Sequence, residues 1–119
     1  HVPHGVANAI LLPHGLEFYI KKSPDIAARI GKLLRFFMEP EDYAKIPVNE
    51  REQNTVAAIR DMNDSLNKIC SLPLTLSQAG VTKDKLEAIA NAAINDGAIA
   101  FCPVEASYED ALEILKAAF

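Results

Sequence analysis

The residues best suited to metal chemistry lie at the start of the chain, where His1 and His4 stand three positions apart. Neutral imidazole is a good ligand for iron, zinc, copper or nickel. A metal site needs three or four ligands that converge from the fold, and this stretch offers two at most. Pro3 disfavours helix at Val2, so the two rings are not expected to share a helical face. Taken alone, His4 is better explained as a histidine at the start of a helix.

The other histidine and the two cysteines are interpreted as structural. His14 is ten residues from His4, which turns it well away from the face of His4 on a helix. Cys70 follows an apolar helical stripe, so a small buried side chain is predicted. Cys102 could be a pocket thiol, but no basic residue adjoins it to favour an activated thiolate. The chain contains no glycine-rich phosphate loop and no nucleophile elbow.

Length and composition indicate one soluble globular domain. The chain has 119 residues, of which 50% are hydrophobic and 24% charged, with a formal net charge of -4. Its basic residues form no cluster, so nucleic acid is an unsuitable partner. No apolar run approaches the roughly 20 residues needed to span a bilayer. Two unpaired cysteines favour a reducing, cytoplasmic location. The first residue is His1 rather than Met, which suggests a longer natural polypeptide.

Apolar periodicity and capping residues predict an all-α fold of about five helices. A helix is expected near residues 5–20, with Pro13 dividing or kinking it. Ser23 and Pro24 begin a second helix, and residues 38–48 read as a loop. Three further helices are expected, each opened by a capping residue and each carrying an apolar stripe. They start near Asn49 (with Glu52), Thr82 and Ser107 (with Asp110), and the first runs to Cys70. Gly97 is expected to end the fourth helix in a left-handed conformation.

The segment PHGVANAILLP, residues 3–13, resembles the segment that completes the metal site in iron-containing (type III) alcohol dehydrogenases. In that family a histidine followed by glycine, at the start of an alanine-rich helix, is a metal ligand, and the matching residue is His4. Asn8 and Pro13 also match the family pattern. The later part of the chain is similar too, with Asp96-Gly97, Pro103 and a final amphipathic helix over residues 108–119. The resemblance covers essentially the whole chain.

The resemblance implies that residues 1–119 form the C-terminal helical domain of a two-domain dehydrogenase. The family's other ligands (an aspartate and two histidines), the dinucleotide-binding domain and a histidine thought to relay protons all lie upstream of the matching motif. Only His4 can be carried over, and His1 matches no ligand. The implied cofactors are a divalent metal, iron with zinc as the alternative, and NAD or NADP.

The resemblance also places a connector, residues 98–104, near the pocket that binds the small alcohol or aldehyde substrate. Ala98, Phe101 and Cys102 would line that pocket and limit substrate size. The connector departs from the family, because Cys102-Pro103-Val104 replaces the common Asn-Pro-Arg. No particular substrate therefore follows from it.

Two functional hypotheses remain open on the sequence. The first is the C-terminal part of a metal-dependent NAD(P) alcohol dehydrogenase, inactive as an isolated chain. The second is a free-standing helical interaction module without catalysis. In the first, the face that meets the missing domain is expected to be apolar, and self-association into a homo-oligomer would cover it.

Overall fold

The first helix, α1, spans His4–Lys22 and continues without a break across Pro13. A proline within a helix has no N–H to donate to the carbonyl four residues earlier, which here is that of Ala9. The side chain of Asn63 supplies the missing donor, because its Nδ2 donates to the Ala9 oxygen at 2.7 Å. The expected division of this helix at Pro13 is therefore wrong. The broken hydrogen bond is replaced from another part of the chain.

The all-α prediction is confirmed by the computed structural model, which describes residues His1–Phe119 and contains no strand. There are six α-helices: α1 (His4–Lys22), α2 (Pro24–Gly31), α3 (Pro40–Lys45), α4 (Arg51–Cys70), α5 (Leu86–Ile94) and α6 (Tyr108–Ala117). Short 3-10 turns cover Lys32–Phe36, Val48–Glu50, Lys83–Lys85 and Gly97–Phe101. None of these helices combines the length and the apolar character that crossing a membrane requires.

Two helix starts follow the capping chemistry that the sequence predicts. Ser23 accepts a hydrogen bond from the backbone N–H of Ile26, and Pro24 occupies the first position of α2. Ser107 and Asp110 form a complete capping box at the start of α6, with both reciprocal hydrogen bonds present. Caps need only residues within one helical turn, which is why the sequence alone identifies them.

Other local predictions are wrong. Residues 40–45, expected in a loop, form α3, whose first turn has Pro40 at a favourable position. The Asn49 capping box does not form, since α4 begins at Arg51 without a side-chain cap. Gly97 does not adopt a left-handed conformation; Ser71 (φ 58°) and Gly80 (φ 87°) do. Cys70 is exposed rather than buried, as are its neighbours Lys68 and Ile69 in the last turn of α4, so no helix covers this turn.

Helix α1 lies between two apolar clusters. On one side Ile10 packs with Leu76, with Leu86 and Ala90 of α5, and with Leu115 and Ala118 at the end of α6. On the other side α2 packs against α4, and both contact α1. There the hydroxyl of the buried Thr55 donates to the Ile30 carbonyl at 3.0 Å. A Cβ added at Gly31 would lie 3.1 Å from the Cβ of Arg51, so this position requires a glycine-sized residue.

The molecule is flat and incompletely buried for its size. Its extents are 46 × 35 × 19 Å, and the smallest is about two helix diameters. The radius of gyration is 15.2 Å, whereas about 13.5 Å is typical of a compact domain of this length. Only 15 of 119 residues are buried, although half of the chain is hydrophobic. These helices therefore leave apolar surface without a partner.

We expect Asn63→Ala to lower the free energy of unfolding by about 1–3 kcal/mol, because the Ala9 carbonyl would lose its partner inside the α1–α4 contact. Urea denaturation followed by circular dichroism measures the change.

The matched control for this variant is Asn54→Ala on the same helix, whose amide makes only an exposed bond to Glu50. Its effect should stay within about 0.5 kcal/mol. Equal losses in the two variants would contradict the role assigned to Asn63.

Candidate functional site

His4 is the first residue of α1, and its side chain is exposed to solvent. Pro3 precedes it in an extended conformation, so the chain turns into the helix at this point. Asn8, one helical turn later on the same face, places its Nδ2 3.0 Å from His4 Nε2. An amide nitrogen can only donate, so Nε2 accepts this hydrogen bond. One neighbour therefore holds the ring, and a ligand at Nε2 would have to replace that hydrogen bond.

The 119 residues do not supply a complete metal site. No three His, Cys, Asp or Glu side chains lie close enough together to hold a metal ion. A divalent metal of the iron or zinc kind needs about four such ligands. His4 therefore fits a metal only as one ligand among several, and these residues do not supply the others.

The connector predicted to line a substrate pocket forms the 3-10 turn Gly97–Phe101. The Asp96 carboxylate starts this turn by accepting a hydrogen bond from the Ala98 N–H at 2.8 Å. Ala98, Phe101 and Cys102 are all exposed, and the side chain of Phe101 is 88% exposed. None of them, and not His4, lines any of the five main pockets. The connector and His4 therefore share none of these five pockets.

The connector is nevertheless in contact with α1. Burial raises the pKa of Tyr19, and the nearby Cys102 thiol of the connector raises this pKa further. Tyr19 also lines a groove along α1 that begins near Asn8. Helix α1 thus carries His4 at one end and contacts the connector near the other.

Sequence reasoning missed an ionic contact between α1 and α4. Arg60 donates two hydrogen bonds to the Glu17 carboxylate, at 2.7 and 3.0 Å. These bonds lower the pKa of Glu17, an effect that burial partly opposes. Glu17 and Arg60 are 43 residues apart in the sequence. Their opposite charges on two predicted helices were the only feature of the sequence that could have indicated this ion pair.

His14 lies beside this ion pair, with Nδ1 3.7 Å from a Glu17 oxygen. Burial lowers the pKa of His14, the positive charge of Arg60 adds to the effect, and Glu17 opposes it. The ring is therefore neutral near pH 7, and its contact with Glu17 is not an ion pair under those conditions. His14 therefore lies where α1 packs against α4, next to Glu17 of its own helix and near Arg60 of α4.

Comparison with known proteins gives a family match over the whole chain. Residues 1–119 match the C-terminal part of the Fe-containing alcohol dehydrogenase family. Alcohol dehydrogenase 4 of Saccharomyces cerevisiae is 31% identical over 120 residues, which are 100% of this chain and 28% of the yeast protein. Lactaldehyde reductase of Escherichia coli (strain K12) is 33% identical over 123 residues, again 100% of this chain and 29% of the relative.

A more distant relative shows the same coverage. The NADPH-dependent butanol dehydrogenase of Clostridium saccharobutylicum is 26% identical over 123 residues, covering 100% of this chain and 29% of the relative. The chain thus spans less than a third of the length of the curated relatives it matches.

We expect stability to fall as the pH drops below about 6.5, the usual pKa of histidine, because the unfolded chain then binds a proton that folded His14 resists. Glu17 also makes stability fall as the pH drops, but only below about pH 4.5, the usual pKa of this carboxyl group. His14→Gln should therefore lose less stability than the wild type between about pH 7.5 and 5.5. Denaturant unfolding at several pH values measures this difference.

His1→Gln, outside any helix, is the control and should follow the wild type. If His14→Gln shows the same pH dependence as the wild type, the burial of His14 does not affect stability.

Proposed function

This chain belongs to the Fe-containing alcohol dehydrogenase family as its C-terminal part, and on that premise we propose that the complete protein interconverts alcohols with aldehydes or ketones. The observation that carries the proposal is His4, exposed at the start of α1 with one ring nitrogen held by Asn8. We propose His4 as the one metal ligand that these 119 residues contribute, with iron as the metal and zinc as the alternative. NAD or NADP is the proposed hydride carrier, bound by the upstream domain.

When bound, the metal supplies Lewis acidity towards the substrate oxygen, and the nicotinamide supplies hydride transfer. His4 contributes a neutral nitrogen lone pair. Asn8 donates to Nε2, so a ligand that takes this nitrogen replaces the Asn8 amide. Because both side chains are exposed, exchanging their hydrogen bond for another ligand at Nε2 costs little. The helix behind them is fixed by contacts from α4, so the nitrogen has a defined position.

We propose that Ala98, Phe101 and Cys102 form one wall of the substrate pocket and limit the size of the alcohol. Their exposure in this chain supports the proposal, since a pocket wall shared with a second domain has no cover from its own domain. The 88% exposed ring of Phe101 is the largest apolar group available there. In this arrangement the connector excludes water from one side of the pocket.

In the complete protein, we expect His4→Ala to lower metal affinity at least about tenfold, because one ligand of a closed set is lost. Metal content after dialysis, measured by mass spectrometry, reports this without relying on turnover.

The matched control is His1→Ala, which removes a nearby exposed imidazole and should leave metal content unchanged. Full metal retention by His4→Ala would remove this residue from the ligand set.

We expect the isolated 119-residue chain to show no reduction of short aldehydes by NADH or NADPH in the presence of iron or zinc. A single imidazole binds metal weakly, and no cluster of ligands compensates within the chain. Absorbance of the reduced nicotinamide measures the reaction, with the complete protein as the positive control. Turnover by the pure chain would contradict the proposal that the upstream domain binds the cofactor and that His4 is only one of several metal ligands.

A further inference from the structure

Pro13 divides α1 into two segments, and different contacts hold each of them. In the first segment, which begins with His4, Ile10 is buried in an apolar cluster with α5 and α6. In the second segment, the Glu17 carboxylate accepts two hydrogen bonds from Arg60 of α4. These two contacts lie on opposite sides of the proline. The angle between the segments therefore depends on how the helix is completed at Pro13.

The position of His4 is sensitive to this angle. His4 lies nine residues before Pro13, and this length of helix measures about 14 Å. Kinks of more than about 20° in helices are nearly always found at prolines or similar breaks, and a bend of about 20° would move His4 by about 5 Å. A bond from a histidine nitrogen to a metal is about 2.1 Å long and tolerates an error of only about 0.2 Å. A bend of a few degrees at Pro13 is therefore enough to displace a ligand.

Asn63 restrains this bend from the neighbouring helix. Its Nδ2 donates to the Ala9 carbonyl at 2.7 Å, and this is the carbonyl that Pro13 leaves without a donor. Asn63 is only 9% exposed, so water has little access to replace it as the donor. Arg60 lies about one turn earlier on α4 and binds the second segment of α1. Both segments are therefore fixed to α4, one on each side of the proline.

We propose that Asn63 is a positioning residue for the metal ligand, because its hydrogen bond to Ala9 fixes the direction of the first segment of α1 and hence the place of His4. This inference rests on the proposed function, since it takes His4 as a metal ligand. Asn63 acts through the helix backbone, at a carbonyl five residues from His4. Its contribution is to present the imidazole at the distance and angle that the remaining ligands require.

The test measures cobalt(II) binding by the complete protein, because cobalt(II) accepts histidine nitrogen as a ligand and its visible absorption reports ligand geometry. Asn63→Ala should lower cobalt affinity at least about tenfold, measured by titration against a competing chelator, and should change the absorption spectrum. The matched control is Arg60→Ala, which removes the polar α1–α4 contact on the other side of Pro13. Its cobalt affinity should stay within about twofold of the wild type.

Pro13→Ala separates positioning from a general structural effect. Alanine at this position has an N–H that can donate to the Ala9 carbonyl within α1, so the bond from Asn63 is no longer needed. In the Pro13→Ala background, Asn63→Ala should change cobalt affinity by no more than about twofold. A loss of packing around Asn63 alone would instead lower the affinity equally in both backgrounds.

Three results would overturn the proposal. The first is an unchanged cobalt affinity and spectrum in Asn63→Ala. The second is an equal loss of affinity in Arg60→Ala, and the third is an equal loss from Asn63→Ala with and without Pro13→Ala. If Asn63→Ala does not fold by circular dichroism, Asn63→Val, which also lacks a donor, is measured in its place.

His4→Ala, measured in parallel, separates this inference from the proposed function. If His4→Ala loses cobalt while Asn63→Ala binds it as the wild type does, only the positioning role fails. If His4→Ala retains cobalt with the affinity of the wild type, the ligand assignment fails, and the positioning role fails with it.

Discussion

The hydrogen bond from Asn63 to the Ala9 carbonyl is the interaction on which the rest of this arrangement depends. Pro13 deprives that carbonyl of its partner within α1, and an unpaired group between packed helices is destabilising. Because α4 provides the substitute, α1 remains a single helix of 19 residues. The same helix presents Ile10 to one apolar cluster and contacts α2 and α4 on its other side. A break at Pro13 would separate the two halves of the fold.

The continuity of α1 also relates the candidate ligand to the rest of the molecule. His4 begins this helix, and Tyr19, near its other end, lies close enough to Cys102 of the connector for the thiol to raise its pKa. Arg60 and Glu17 add a second contact between α1 and α4, although both side chains are about 40% exposed and solvent weakens their attraction. The polar contacts fix the direction of α1, while apolar burial supplies most of the stabilisation.

Several exposed features lie along α1. His4 is its first residue and has no two further ligands beside it, an open groove follows its middle, and the exposed Phe101 belongs to the connector near its far end. A flat arrangement about two helices thick cannot enclose all of its apolar side chains, which accounts for the small buried core.

The sequence by itself determined the all-α class, most helix positions and the candidate ligand. Caps such as Ser107 with Asp110 and the apolar repeat of a helix depend on residues within a few positions of each other. The family motif around His4 is equally local. Tertiary structure decided the continuity of α1, since the Asn63 that compensates for Pro13 lies 54 residues from Ala9. It also decided that Cys70 and Met62 are exposed, because burial depends on which helix lies opposite, and an apolar stripe cannot specify whether that neighbour is present.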